Sequence, residues 1–216
     1  ILSHVFEPVD IPSQEEVDEF LGPFTPYQKL DVNDPISFGM YATPEYYLEF
    51  RYEHDQAVHR AADAMRKYGK AFGEKFGRDY SSLVEGYKLE DAEIAIVAMG
   101  SICGTTKDAI DEMRAEGKKV GLLKIRCFRP FPAEDIAKAL AHVNTIAVLD
   151  KNVSLGAKGA VAIEVKEACY GSGIPVYDYI LGLGGRDVRK KDIKHIVELA
   201  EKGSGDMFYG LREELL

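Results

Sequence analysis

The second half of the chain carries apolar runs of strand length at residues 92–99, 120–125, 145–149 and 176–181. Each is nearly continuous rather than alternating, as expected for strands buried on both faces of a parallel sheet. Helical periodicity fills the intervals at 105–116, 133–141, 157–170 and 191–202. Ala109, Ile110 and Met113 share one face of the first, and Ile193, Ile196, Val197 and Ala200 share one face of the last. Thr105 with Asp108 fits a capping box, and Gly117, Gly171 and Gly203 fit helix stops. Strands alternating with helices at this spacing imply right-handed crossovers. The expected fold is α/β, a three-layer αβα arrangement around a mostly parallel sheet.

The first half reads differently. Val58, Ala61, Ala62, Met65, Tyr68, Phe72 and Phe76 recur at three- and four-residue steps and predict a long helix over 53–78. Gly69, Gly73 and Gly77 interrupt it at four-residue intervals, each costing up to about 1 kcal/mol against alanine. Such a row suits either a close backbone approach or fraying after Tyr68. Residues 1–52 hold six of the nine prolines, which argues against long elements there. One short helix fits between Ser13 and Leu21, with Ser13 and Glu16 as a capping box. The aromatics of this stretch, among them Phe24, Tyr27, Phe38, Tyr41, Tyr46 and Tyr47, are many for a free linker. They pack either on this chain's own body or on another domain or subunit. The expected division is an arm at 1–52, a long helix and connector at 53–90, the α/β domain at 91–205 and a tail at 206–216.

Composition narrows the function classes. The 216 residues carry a net charge of −9, which disfavours binding to nucleic acid. Cys103, Cys127 and Cys169 are scattered and form no Cys-x-x-Cys pair, so no metal or cluster site is expected within the chain. They read as reduced, buried thiols of a cytoplasmic protein. No apolar run is long enough to span a membrane. The chain opens at Ile1, in what reads as mid-strand, which points to a piece of a longer protein.

Three segments at expected strand ends invite chemistry. Gly100, Ser101, Gly104 and Thr105 lie at a strand-to-helix turn, where free N–H groups suit an anion, although neither nucleotide-binding glycine fingerprint matches. Arg126 and Arg129 flank a Pro130-Phe131-Pro132 turn at the expected carboxyl edge of the sheet, where α/β domains bind ligands. Arg129 clamps a carboxylate ligand or pairs with an acid such as Asp150. Asp150 and Lys151 follow the third strand, and Arg186 sits in the glycine-rich loop after the fourth. These loops serve as binding or interface elements. His4, His54, His59, His142 and His195 all fall away from strand ends, so no base–nucleophile set and no catalytic residue is assigned.

Arg129-Pro130-Phe131-Pro132, Asp150-Lys151-Asn152 and Gly182-Leu183-Gly184-Gly185-Arg186-Asp187, with Ala92-Glu93-Ile94 and Gly100-Ser101 upstream, together resemble the alpha subunit of 2-oxoacid:ferredoxin oxidoreductases. Leu2-Ser3-His4 with Glu7-Pro8-Val9, residues 11–17 and residues 30–35 extend the likeness to the arm. The wording is most similar to the pyruvate branch, with the branched-chain 2-oxoacid and 2-oxoglutarate branches close by. The resemblance implies a transketolase C-terminal-like domain that follows a thiamine-binding domain. It also implies an oligomeric parent complex with beta, gamma and delta type subunits. That complex would use thiamine diphosphate, magnesium and iron–sulfur clusters, with coenzyme A and ferredoxin as partners. This segment would then serve assembly and hold no cofactor. A small-molecule or anion-binding module is the other reading.

Overall fold

The computed structural model describes residues 9–216. The likeness carried by Leu2-Ser3-His4 and Glu7-Pro8 therefore lies outside the described residues. The chain divides into two compact units, residues 1–81 and 82–216.

In the first unit, helix α1 (Gln14–Leu21) begins at the expected box: Ser13 Oγ accepts the Glu16 N–H, and the Glu16 carboxylate accepts the Ser13 N–H at 2.8 Å. Helix α2 (Pro44–Phe76) has 33 residues, a length of about 50 Å. It starts well inside the stretch read as arm, because Pro44 occupies the first helical turn. There the missing N–H is harmless and the fixed φ favours the helix. The glycine row marks a close approach rather than fraying. A Cβ on Gly69 would stand 2.4 Å from the Tyr80 carbonyl, and one on Gly73 would stand 2.9 Å from Asp79 Cα. The chain turns at Gly77, whose φ of 74° ends the helix, and runs back along α2, where the Tyr80 N–H donates to Gly69 O. Phe20 of α1 packs edge-on against Phe72 and Phe76, and Lys75 pairs with Glu19. Most of the arm's aromatics stay exposed, Tyr27 at 99%.

The second unit is built on a six-stranded sheet: β1 (Val84–Tyr87), β2 (Ile94–Met99), β3 (Val120–Ile125), β4 (Thr145–Asp150), β5 (Val176–Ile180) and β6 (Met207–Phe208). The order is β1-β3-β2-β4-β5-β6, with β1 antiparallel to β3 and the other pairs parallel. Helices α3 (Ile102–Ala115), α4 (Ala133–Leu140), α5 (Ala160–Ala168) and α6 (Lys190–Glu201) cover it. Successive residues of β2 point to opposite faces: Ile94, Ile96 and Ala98 join Ile110, Met113, Ile193 and Ile196 under α3 and α6. Ala95 and Val97 join Ile136, Leu140, Val161 and Val165 under α4 and α5. This is the three-layer αβα fold expected from the apolar runs.

The edges were not expected. β1 lies in the stretch read as connector and β6 in the stretch read as tail. β1 is short and holds Glu85 and Gly86, and β6 is two residues long, so neither has an apolar run. Helix α3 starts at Ile102, with Ser101 as N-cap, and not at a Thr105 capping box. Thr105 is inside the first turn, and the neighbouring Thr106 hydroxyl donates to Ile102 O at 2.9 Å.

Candidate functional site

The parallel strands deliver their carboxyl ends to one sheet edge, and the candidate residues lie at a strand end, on the loops or at the helix starts that follow. The structure sorts them into three neighbourhoods.

The first surrounds Glu85. Placed on β1 opposite Lys124 of β3, this carboxylate accepts from Lys107 Nζ at 2.7 Å, Arg126 at 2.9 Å and Lys124 Nζ at 3.4 Å. The Lys107 hydrogen bond, opposed by burial and reinforced by the charges of Lys124 and Arg126, holds Glu85 at about 2. Arg126 is thus committed to a protein acid. Cys103 lies in the first turn of α3 with Gly104 and Thr105, just after Gly100 and Ser101, and it feels the charges of Lys124 and Lys107. Gly100 adopts φ 78° before the helix. Burial pushes the Cys103 thiol up despite those cations, so it is no activated nucleophile.

The second neighbourhood explains Asp150-Lys151-Asn152. The Asp150 side chain is fully buried at the end of β4. Its two oxygens accept the Val161 N–H at 3.3 Å and the Ala162 N–H at 2.9 Å. Asn152 accepts the Ala160 N–H at 3.0 Å, and Asp178 of β5 accepts the Gly159 N–H at 2.7 Å. The four N–H groups that open α5 therefore all end on side chains. Helix α5 starts at Ala160 rather than at 157 because Gly159 must lie flat on Asp150. A Cβ there would stand 2.2 Å from Oδ2. Burial raises Asp150 above the usual carboxylate range, the new hydrogen bonds oppose the rise and the Asp178 charge adds to it. Burial raises Asp178 as well, whose Oδ1 is buried without a hydrogen bond. Asp206 accepts from Lys158 at 2.8 Å, Lys166 at 2.9 Å and the Asp178 N–H at 2.9 Å. Burial would raise it, but these donors outweigh that and hold it at about 2. Arg129 does not reach Asp150: it stacks on Phe128 and pairs with Glu164 of α5, since the buried carboxylate faces the helix and not the loop.

The third neighbourhood is a cleft of about 360 Å³ after β5, where Arg186 donates to Gly210 O at 2.6 Å. Lys151 leans toward it, its Cε 3.1 Å from where a Gly182 Cβ would stand. Sequence reasoning placed Arg186 but missed Arg189, Lys191 and Arg212, which line the same cleft. Arg212 comes from the stretch read as tail, and its only signal was its charge. Among the described residues no group of three His, Cys, Asp or Glu side chains could hold a metal ion. None of their helices is long and apolar enough to cross a membrane.

Residues 92–193 match the family described as pyruvate:ferredoxin oxidoreductase core domain II. The chain is similar to the pyruvate synthase subunit PorA of Methanosarcina barkeri, 46% identical across all of this chain and 56% of that protein. It is 47% identical to the PorA of Methanocaldococcus jannaschii over 99% of this chain and 56% of that one. The ketoisovalerate oxidoreductase subunit VorA of Pyrococcus horikoshii is 47% identical over 94% of this chain and 52% of its own length. The chain thus spans about half the length of the curated relatives it matches.

Proposed function

This chain belongs to the 2-oxoacid:ferredoxin oxidoreductase family, and from that premise we propose that it is the assembly portion of an alpha subunit that acts on pyruvate. The assembled enzyme would cleave pyruvate oxidatively, transfer the acetyl group to coenzyme A, release carbon dioxide and reduce ferredoxin, or run the reverse synthesis. Thiamine diphosphate, magnesium and iron–sulfur clusters would sit in the rest of the assembly. In support of that division for the clusters, the three cysteines are each buried and, among the described residues, no three potential metal ligands come together.

The observation that carries the reading is the use made of the sheet's carboxyl edge. Asp150, Asn152 and Asp178 cap α5, Glu85 binds three cations and Arg129 binds Glu164, so groups that look catalytic serve as structure. For partner subunits the first unit offers exposed apolar side chains such as Phe24, Tyr27 and Val32. Beta, gamma and delta type subunits are the expected partners.

A branched-chain substrate is the second reading, favoured by the VorA relative, which is as similar as the PorA relatives. The test is ferredoxin reduction by the assembled enzyme with pyruvate and with 3-methyl-2-oxobutanoate as competing substrates. A kcat/KM at least about tenfold higher for pyruvate supports the first reading. The opposite preference replaces it with the second.

A further inference from the structure

Beyond assembly, the cleft after β5 has the features of a small-molecule site. It is lined by Arg186, Arg189, Lys191 and Arg212 against the two carboxylates Asp187 and Asp192. That leaves an excess of two positive charges in a chain whose net charge is −9. The acids are already engaged: Asp192 accepts the Arg189 N–H at 2.8 Å, and Asp187 pairs with Arg189 at 3.5 Å. The Lys191 and Arg212 side chains, by contrast, make no hydrogen bond or ion pair among the described residues. Both side chains are exposed and line this one cleft.

A second, apolar pocket of about 160 Å³ adjoins the first. Leu183, Phe208 and Leu211 line it, and it shares Leu181, Gly182, Arg186 and Tyr209 with the cationic cleft. Gly182 is required at the junction, where its φ is 67° and a Cβ would stand 3.0 Å from Val188 Cγ2. Together the two spaces reach the size of ordinary ligand pockets.

We propose that this double pocket binds a small organic phosphate, with the phosphate among Arg186, Lys191 and Arg212 and an apolar portion over Leu183, Phe208 and Leu211. A dianion matches the charge excess. A tetrahedral oxyanion accepts from donors in several directions, which a planar carboxylate cannot do as well. The site is independent of the substrate of the assembled enzyme, and its test needs only this chain.

Calorimetric titration with phenyl phosphate, inorganic phosphate and benzoate separates the contributions. Phenyl phosphate should bind saturably and at least about tenfold more tightly than inorganic phosphate or benzoate. The double substitution K191Q/R212Q should weaken it about tenfold or more, while K191R/R212K restores it. F208S should weaken phenyl phosphate and leave inorganic phosphate unchanged. Thermal unfolding of each variant verifies that the fold is kept, as expected for exposed, unpaired side chains. Absence of saturable binding to the unsubstituted chain overturns the proposal. So does binding that ignores K191Q/R212Q, and benzoate binding as tight as phenyl phosphate overturns the assignment to phosphate.

Discussion

Replacing Asp150 with alanine removes both acceptors that close the first turn of α5. The Val161 and Ala162 N–H groups sit beside a fully buried side chain, where water does not readily replace the carboxylate. Each orphaned buried donor costs about 1–3 kcal/mol. Relief of the buried charge offsets part of this, since burial already holds Asp150 above its ordinary pKa. The net expectation is a loss of about 2–4 kcal/mol. Asn152→Ala removes one acceptor at an exposed position and should cost about 0.5–1 kcal/mol. Urea unfolding at neutral pH measures both, with an unchanged m-value showing that the native and denatured surfaces are intact. Amide hydrogen exchange at residues 160–162 locates the effect. A D150A loss below about 0.5 kcal/mol, or unchanged protection at those amides, would refute the capping argument.

Glu85→Gln should cost about 1–3 kcal/mol at neutral pH, because it leaves Lys107, Lys124 and Arg126 unanswered. Glu85 is depressed to about 2, so its stabilisation is present above 4.5 and lost as pH falls through 2, and the difference in urea midpoint should close over that window. Asp178 has the opposite sign. Its folded pKa is raised, so the folded state holds its proton more tightly, and its contribution weakens as pH rises above 3.8. Asp178→Asn should therefore flatten the decline of stability with rising pH in a thermal unfolding series, and a steeper decline would count against it. Gly69→Ala should destabilise the first unit although alanine is the better helix former by about 1 kcal/mol, because its Cβ meets the Tyr80 backbone. A rise in helix stability by circular dichroism would contradict that packing.

The central sheet was legible because β2, β3 and β4 are covered on both faces and read as unbroken apolar runs. The edges were not: β1 pairs through its backbone with one neighbour, and β6 has too few residues to show a period. Asp150-Lys151-Asn152 was visible as a concentration of polar residues, yet its role depends on N–H groups of residues 160–162, which no local pattern connects to it. The same holds for Arg129, whose partner Glu164 lies on a helix 35 residues away. The cleft needed three dimensions too, because it joins the loop after β5 to residues 209–212 beyond β6.

The assembly claim is tested most directly by pyruvate-dependent ferredoxin reduction in the presence of coenzyme A. The enzyme would be purified with all its subunits, once intact and once lacking residues 82–216 of this chain, and this chain would be assayed alone in parallel. The account predicts turnover only in the intact enzyme and loss of co-purifying subunits in the deleted one. Turnover by this chain alone, or full activity without those residues, would contradict it.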